Sequence, residues 1–237
     1  MREEHIKVSV AMATYNGEKY IKEQIESILS NLKENDELII SDDGSKDNTV
    51  SFIKEYIKKD NRIKLLDGPR MGVKQNFSNA IYNTTGDYIF LCDQDDIWNK
   101  TKVENVIREL KNNILVIHDA EIINENKEIV NESFFKFRNS GPGKLKNIYK
   151  NTYIGCCMAF KKELKQYILP IPHNIEMHDQ WIGIIAEEHG QVKFLKNKLI
   201  MYRRHSNNVS SFEHYPVNKM IKNRLILILE LIKNRRK

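Results

Sequence analysis

The residues best placed to do chemistry are acids and amides that directly follow apolar runs. Tyr88 to Cys92 is such a run, and Asp93-Gln94-Asp95-Asp96 comes straight after it. Two carboxylates one residue apart at a strand end can share a hard cation such as Mg²⁺ or Mn²⁺, which takes oxygen ligands and keeps positions open for phosphate oxygens. An ion held there can neutralise a diphosphate as it leaves. The D-x-D triplet alone is weak, because most such triplets are solvated turns; its place behind an apolar strand strengthens it. A second acid pair, Asp42-Asp43-Gly44-Ser45, follows Leu38-Ile39-Ile40. As a plain turn it needs Asp and Gly only for backbone geometry. As a site, one of its carboxylates can accept the N3–H of a uracil or thymine ring, as acids suit base amino groups elsewhere. Tyr15, after the first apolar run, is either a partly buried loop aromatic or a face on which that base stacks.

These segments need elements to hold them. Lys7 to Ala13 reads as a buried strand, and Ile21, Ile25, Ile28, Leu29 and Leu32 then recur on one helical face. Leu38 to Ile40 is a second strand. Val50, Ile53, Tyr56 and Ile57 mark a helix that Asp47 or Asn48 can cap. Ile63 to Leu66 is a third strand, Phe77, Ala80 and Ile81 a third helix, and Tyr88 to Cys92 a fourth strand. Val103, Ile107 and Leu110 give a further helix, and Ile114 to Ile117 a fifth strand. Alternation of this kind predicts an α/β fold with a mostly parallel central sheet and helices on both faces. Ligands of such sheets bind beyond the carboxyl ends of the strands. Asn16, Asp42, Asp43, Asp93, Gln94, Asp95 and Asp96 all fall there. Like charges so gathered repel one another, and a cation or donor-rich ligand offsets them.

The second half is less regular. Phe134 to Gly143 reads as a loop, Tyr153 to Phe160 as a strand, Gln180 to Glu188 as a short helix and Leu199 to Tyr202 as a strand. The chain of 237 residues suits one domain or one domain with a small appendage. Its net charge of +6 suggests nucleic acid only until the distribution is seen. From Val217 onward there are seven basic residues and one acid, which is the whole excess, so a near-neutral body excludes a basic nucleic-acid groove. Cys92, Cys156 and Cys157 are an odd set with two adjacent, which is no disulfide framework and fits reduced thiols in the cytoplasm. No signal pattern opens the chain, and no apolar run approaches the ~20 residues that span a bilayer.

Taken together, Ala13-Thr14-Tyr15-Asn16-Gly17, Asp42-Asp43-Gly44-Ser45, Gly86-Asp87-Tyr88-Ile89 and Asp93-Gln94-Asp95-Asp96-Ile97-Trp98 resemble the family 2 glycosyltransferases, with the GT-A (Rossmann-like) fold. The D-Q-D-D-I-W stretch and Tyr202 to Ser210 are most similar to the rhamnosyltransferase-like branch, which builds bacterial surface polysaccharides. The resemblance spans roughly residues 6 to 210 and implies one GT-A domain over 1–212. Its donor-binding half covers about 1–118 and its acceptor and catalytic half about 119–212, with a basic amphipathic helix over 213–237. It implies an inverting transfer from a UDP- or dTDP-sugar to a glycan or lipid-linked glycan, with a divalent metal, Mn²⁺ or Mg²⁺. Thr14 and Tyr15 would belong to the donor site, Asp43 would meet the base, Asp93 the ribose and Asp95 the metal, with Asp96 behind them. The base that takes the acceptor proton would be Asp179, in Met177-His178-Asp179-Gln180-Trp181. The more usual Glu-Asp pair is His178-Asp179 here, which leaves Glu176 a rival, and a plain helix N-cap is the bland account of Asp179. His205 is implied as a third protein ligand to the metal.

Further donor contacts follow from side-chain chemistry. Arg203 or Arg204 offers a planar fork for the diphosphate, and Lys74 and Arg70 are additional phosphate candidates. His178 either orients Asp179 or touches the acceptor, and Trp181 is an acceptor contact or a core aromatic. The loop Ser206 to Ser211 is placed to close over the donor. The helix from Val217 either lies on an anionic membrane surface, making the protein peripheral at the inner face of the cell membrane, or packs on the domain or a second subunit of a homodimer. Two other enzyme readings fit less well. A sugar nucleotidyltransferase carries a Gly-rich basic stretch after its first strand, which Ala-Thr-Tyr-Asn-Gly lacks. A strand-end Asp acting as phosphate acceptor leaves Tyr15 and Asp179 without a role. A non-catalytic carbohydrate-binding module is the third alternative, and it would release no nucleoside diphosphate.

Overall fold

Strand β1 (Val8–Thr14) is buried along its whole length, as a strand covered by helices on both faces must be. It pairs in parallel with β2 (Glu37–Asp42) on one side and β4 (Tyr88–Cys92) on the other, and β2 carries β3 (Ile63–Asp67), also parallel. The crossovers run through α1 (Ile21–Leu29), α2 (Thr49–Ile57) and α3 (Val73–Tyr82). Ile21, Ile25 and Ile28 turn the buried face of α1 into the core, each worth about 1.5–3 kcal/mol of apolar burial. The computed structural model describes residues 6–206, 208 and 216–235; the 212/213 domain boundary and most of the Ser206–Ser211 loop lie outside them.

The second half completes the same sheet. After β5 (Ile97–Trp98) and α4 (Lys102–Leu110) come β6 (Leu115–Ile123), β7 (Ile129–Asn131), α5 (Phe134–Arg138) and α6 (Lys144–Tyr149). Then follow β8 (Met158–Lys161), α7 (Lys165–Ile168), α8 (His178–His189), β9 (Val192–Arg203) and α9 (Val217–Asn234). The strand order is β3-β2-β1-β4-β8-β6-β9-β5, with β7 paired to β6. The predicted α/β class holds, with helices on both sides of the sheet. The central β8 is antiparallel to both β4 and β6, whereas β6 and β9 are parallel. The β6–β9 register shifts at His118, Asp119 and Glu121. Such irregularities bend a strand and re-aim its end, and β9 thereby finishes at Arg203, beside the acids that follow β4.

Two local expectations need correction. Phe134–Arg138 is a helix, because Ser133 accepts from the Lys136 amide at its start and Asn139 takes the left-handed conformation at its end. A five-residue aromatic stretch shows no helical period. The strand expected from Tyr153 starts only at Met158, since Gly155–Cys157 forms a 3₁₀ turn. At the start of α2 it is Asp47 that bonds the Thr49 amide, at 3.0 Å, while the Asn48 side chain makes no cap.

Glu37, 3 % exposed, ties four segments together at the far edge of the sheet from the acids. It accepts from Ser9 Oγ at 2.7 Å, from Thr85 through both amide and hydroxyl at 2.7 Å, and from Lys64 Nζ at 2.9 Å. Burial alone would raise its pKa, but these donors outweigh burial and bring it from 4.5 to about 2. The stabilisation is therefore complete above its ordinary pKa and lost as pH falls through about 2. Glu37→Leu should lower unfolding free energy by about 2–3 kcal/mol in urea melts at pH 7, with the deficit shrinking at the most acidic pH.

Candidate functional site

The loops that follow β1, β2 and β4 are stitched to one another by their own polar groups. The Tyr15 amide donates to Gln94 Oε1 at 2.9 Å, and Gln94 Nε2 donates back to the Tyr15 carbonyl at 3.0 Å. Asn76 Nδ2, from α3, donates to the carbonyls of Thr14 and Ser41. Asp42 is spent on the turn: it accepts from Thr14 Oγ1 and from the amides of Gly44 and Ser45. Gly44 sits at φ +91°, where a side chain is strained. Asp43 points the other way, and its two carboxylate oxygens accept from the amides of Met71 and Gly72. That arrangement fixes its plane at the rim of a cleft.

The cleft has a volume of about 1000 Å³ and runs from the β1 and β2 loops to the start of α8. Thr14, Tyr15, Asp43, Asp93, Asp95, His178 and Asp179 all line it, so residues from distant segments do converge. Tyr15 is half exposed in its wall. Asp95 and His205 meet: His205 Nε2 lies 2.8 Å from Asp95 Oδ2, and the ring stacks on Tyr20. The ligand atoms of Asp93, Asp96 and Cys156 lie within 4.8 Å of one another, so Asp96 stands nearer to Asp93 than its place behind the D-x-D pair implied. Asp96 Oδ2 is buried with no hydrogen-bond partner among the described residues.

The electrostatics match this crowding. Burial, followed by the charges of Asp96, Asp95 and Asp179, pushes the Asp93 carboxyl well above its ordinary range. Asp96 is raised to about 7, chiefly by burial and then by Asp95, against the opposing Arg203 amide. A divalent cation would relieve both, and the carboxylate and imidazole donors fit one. Asp179 is raised to about 6 by burial, even though Asn151 Nδ2 and the Gln180 amide donate to its Oδ1. It is no N-cap: α8 begins one residue earlier, with Met177 in the cap position. His178 is buried, stacked on Phe77 at 4.2 Å and held neutral, its pKa lowered to about 3 by burial. Gly155 permits this, since a Cβ there would stand 2.8 Å from His178 Nε2.

Three candidates are corrected by their contacts. The Arg203 guanidinium is buried and committed to the Asp95 carbonyl at 2.8 Å and to Glu23 at 2.7 Å. It props the acidic loop from behind and does not face the diphosphate. Lys74 Nζ binds the carbonyls of His173 and Ile175, holding the segment that leads into α8. Trp181 is 1 % exposed and donates to the Ile168 carbonyl at 2.9 Å, so its indole belongs to the core and not to an acceptor surface. Reading the sequence also missed cleft residues: Lys46, Phe134, Arg138, Asn151, Tyr153 and Tyr202. Asn151, which orients Asp179, had no signal beyond an Asn in an irregular stretch. Arg70 does line the cleft, and Glu176 stands at its outer edge, exposed.

Comparison with known proteins agrees with this geometry. Residues 9–168 match the model of Glycosyl transferase family 2. The chain is 30% identical to the dTDP-rhamnosyl transferase RfbG of Shigella flexneri over 217 residues, covering 83% of this chain and 72% of that one. It is 32% identical over 186 residues to the Escherichia coli UDP-Glc:alpha-D-GlcNAc-diphosphoundecaprenol beta-1,3-glucosyltransferase WfgD, covering 76% of this chain and 70% of that one. Among solved structures, S. aureus TarS 1-349 in complex with UDP-GlcNAc superposes with a TM-score of 0.73 at 20% identity, over 96% of this chain and 67% of that one. The mannosyltransferase PcManGT from Pyrobaculum calidifontis, in complex with GDP-Man and Mn²⁺, superposes at 0.66 and 16% identity, over 98% of this chain and 65% of that one. At those identities the structural likeness speaks for the fold, while the profile and the sequence relatives speak for descent. With strand-end acids, a wide cleft and a base candidate on one wall, the chain belongs to glycosyl transferase family 2 and is a glycosyltransferase.

Proposed function

We propose that the chain transfers a hexosyl or deoxyhexosyl group from a UDP- or dTDP-sugar to a glycan or lipid-linked glycan, with inversion, in polysaccharide synthesis. The observation that carries this is the convergence of Asp43, Asp95 and Asp179 on one cleft. Asp43 and Tyr15 would take the pyrimidine, Asp93 the ribose, and Asp95 with His205 a divalent ion, Mn²⁺ or Mg²⁺. When bound, that ion supplies charge to offset the departing diphosphate. The nucleotide sugars in the relatives' names, dTDP-rhamnose-type and UDP-glucose, support a pyrimidine donor. The three free thiols support a cytoplasmic place of work.

In this reading the acceptor hydroxyl attacks the anomeric carbon from the side opposite the diphosphate. Its proton passes to Asp179, and the glycosidic oxygen bond breaks toward the nucleoside diphosphate. Asp179 suits the task because burial brings its pKa to about 6, close enough to neutrality to accept a proton yet ionised at pH 7. Asn151 keeps one carboxylate oxygen occupied and so aims the other. Glu176, the rival, is exposed and accepts from Asn223 at 2.7 Å.

A panel of nucleotide sugars with Mn²⁺, scored by released diphosphate, tests the reading; no release from any UDP- or dTDP-sugar would end it. Asp95→Ala should remove turnover by at least about 10²-fold and abolish metal-dependent nucleotide binding in calorimetry. Asp179→Asn should retain nucleotide affinity and lose about 10²–10⁴ in kcat. Wild-type kcat should fall about tenfold per unit below about pH 6, as Asp179 becomes protonated. The same residue predicts a stability effect. Its proton is held more tightly in the fold, at about 6, than at the ordinary 3.8. The resulting stabilisation is full below the ordinary pKa and lost as pH rises through about 6. Asp179→Asn should therefore be more stable than wild type at neutral pH, by about 3 kcal/mol, with the gap closing toward pH 4.

A further inference from the structure

Helix α9 turns two different faces to its surroundings. Its inner face carries Leu227 and Leu231, both buried, and a row of polar anchors. Asn223 donates to Glu176 at 2.7 Å, Asn234 to the Tyr167 carbonyl at 3.0 Å, and Glu230 accepts from Asn174 at 3.0 Å. The outer face exposes Val217, Ile221, Leu225, Ile228, Leu229 and Ile232, between 38 % and 71 %. At about 100° per residue these six fall within roughly 120° of arc, a continuous stripe along the helix. Lys222 and Lys233 border one edge of that arc and Arg235 the other, all exposed; Lys233 pairs with Glu230 and Arg235 with Glu188, so among the described residues Lys222 carries the unneutralised charge at this border. The helix has a single acid, Glu230, whose side chain is only 15 % exposed and turned inward. What α9 shows outward is thus apolar and basic. Helix α6, which packs beside it, repeats the chemistry with exposed Leu145, Tyr149, Lys146 and Lys150, and Tyr149 lies under the Arg224 guanidinium.

No described helix is long and apolar enough to cross a membrane. A helix with an apolar arc bordered by lysines instead lies flat, its apolar side sunk among acyl chains and its ammonium groups among anionic headgroups. We infer that the outer face of α9, with α6 beside it, docks on an anionic lipid bilayer. Since Asn223 bonds Glu176, which stands at the cleft edge three residues before Asp179, docking holds the acceptor end of the cleft next to the lipid surface. A second copy of the chain could cover the same stripe, but it would have to bring an acid to meet Lys222, and the one acid of α9, Glu230, is already engaged by Lys233 and Asn174. The docking rests on residues outside the cleft and so stands or falls apart from the transfer reaction.

Sedimentation of the full chain with vesicles tests it. We expect binding to vesicles with about 30% phosphatidylglycerol, little to pure phosphatidylcholine, and release by high salt. Leu225→Glu with Leu229→Glu should cut partitioning more than about tenfold. Lys222→Ser should weaken it about fivefold. Neither change should alter the melting temperature or nucleotide binding, read in the same samples. Equal binding to both vesicle types, no binding to either, or a chain that is dimeric in ultracentrifugation and made monomeric by the leucine changes would each overturn the inference. Vesicle binding with no diphosphate release would leave docking intact and sink only the proposed reaction.

Discussion

The constraint on which the rest depends is repulsion among carboxylates held at close quarters. Asp93, Asp95 and Asp179 share one cleft with Asp96 buried behind them, and burial makes their charges felt at Asp93. A chain left to relax would splay them into water. The Gln94–Tyr15 amide pair, Asn76 across two strand ends, and Arg203 behind the acidic loop oppose that relaxation. Stability is given up locally at these acids, as it is at functional sites generally. Glu37 gives the contrast: an equally buried acid, but one with four donors, whose role is to hold strands together.

Much of the first half was legible because parallel strands and their crossover helices leave distinct periods in the chain. Each strand expected there exists, and the polar segments after them do gather at one edge. The D-x-D and D-D-G-S segments could be placed because strand ends point one way in such a sheet. The second half was harder to read for a physical reason. Strand β8 is only four residues long, α5 is five, and their order in the sheet departs from their order in the chain. Nothing local announces that β8 inserts between β4 and β6.

Side chains were less legible than loops. Arg203, Lys74 and Trp181 have the chemistry of ligand contacts, and sequence cannot tell which way a side chain turns. The structure turns them toward carbonyls and the core. Asn151 was invisible for the opposite reason: a neutral amide in an irregular stretch becomes important only once Asp179 is folded against it. Asp96 lies between these cases, in the right loop but closer to Asp93 and Cys156 than a linear motif suggests.

The path of β9 has a bearing on how the protein comes into being. Its last residue grips the acidic loop through Arg203, and His205, just beyond, reaches Asp95. Both arrive more than a hundred residues after the loop they complete. During synthesis β1 to β4 emerge and can pair early, but the contacts around Asp95 are completed only once β9 has been made and has paired with β6. The surroundings of Asp95 are thus completed only after the segments carrying Asp43 and Asp93 have been made.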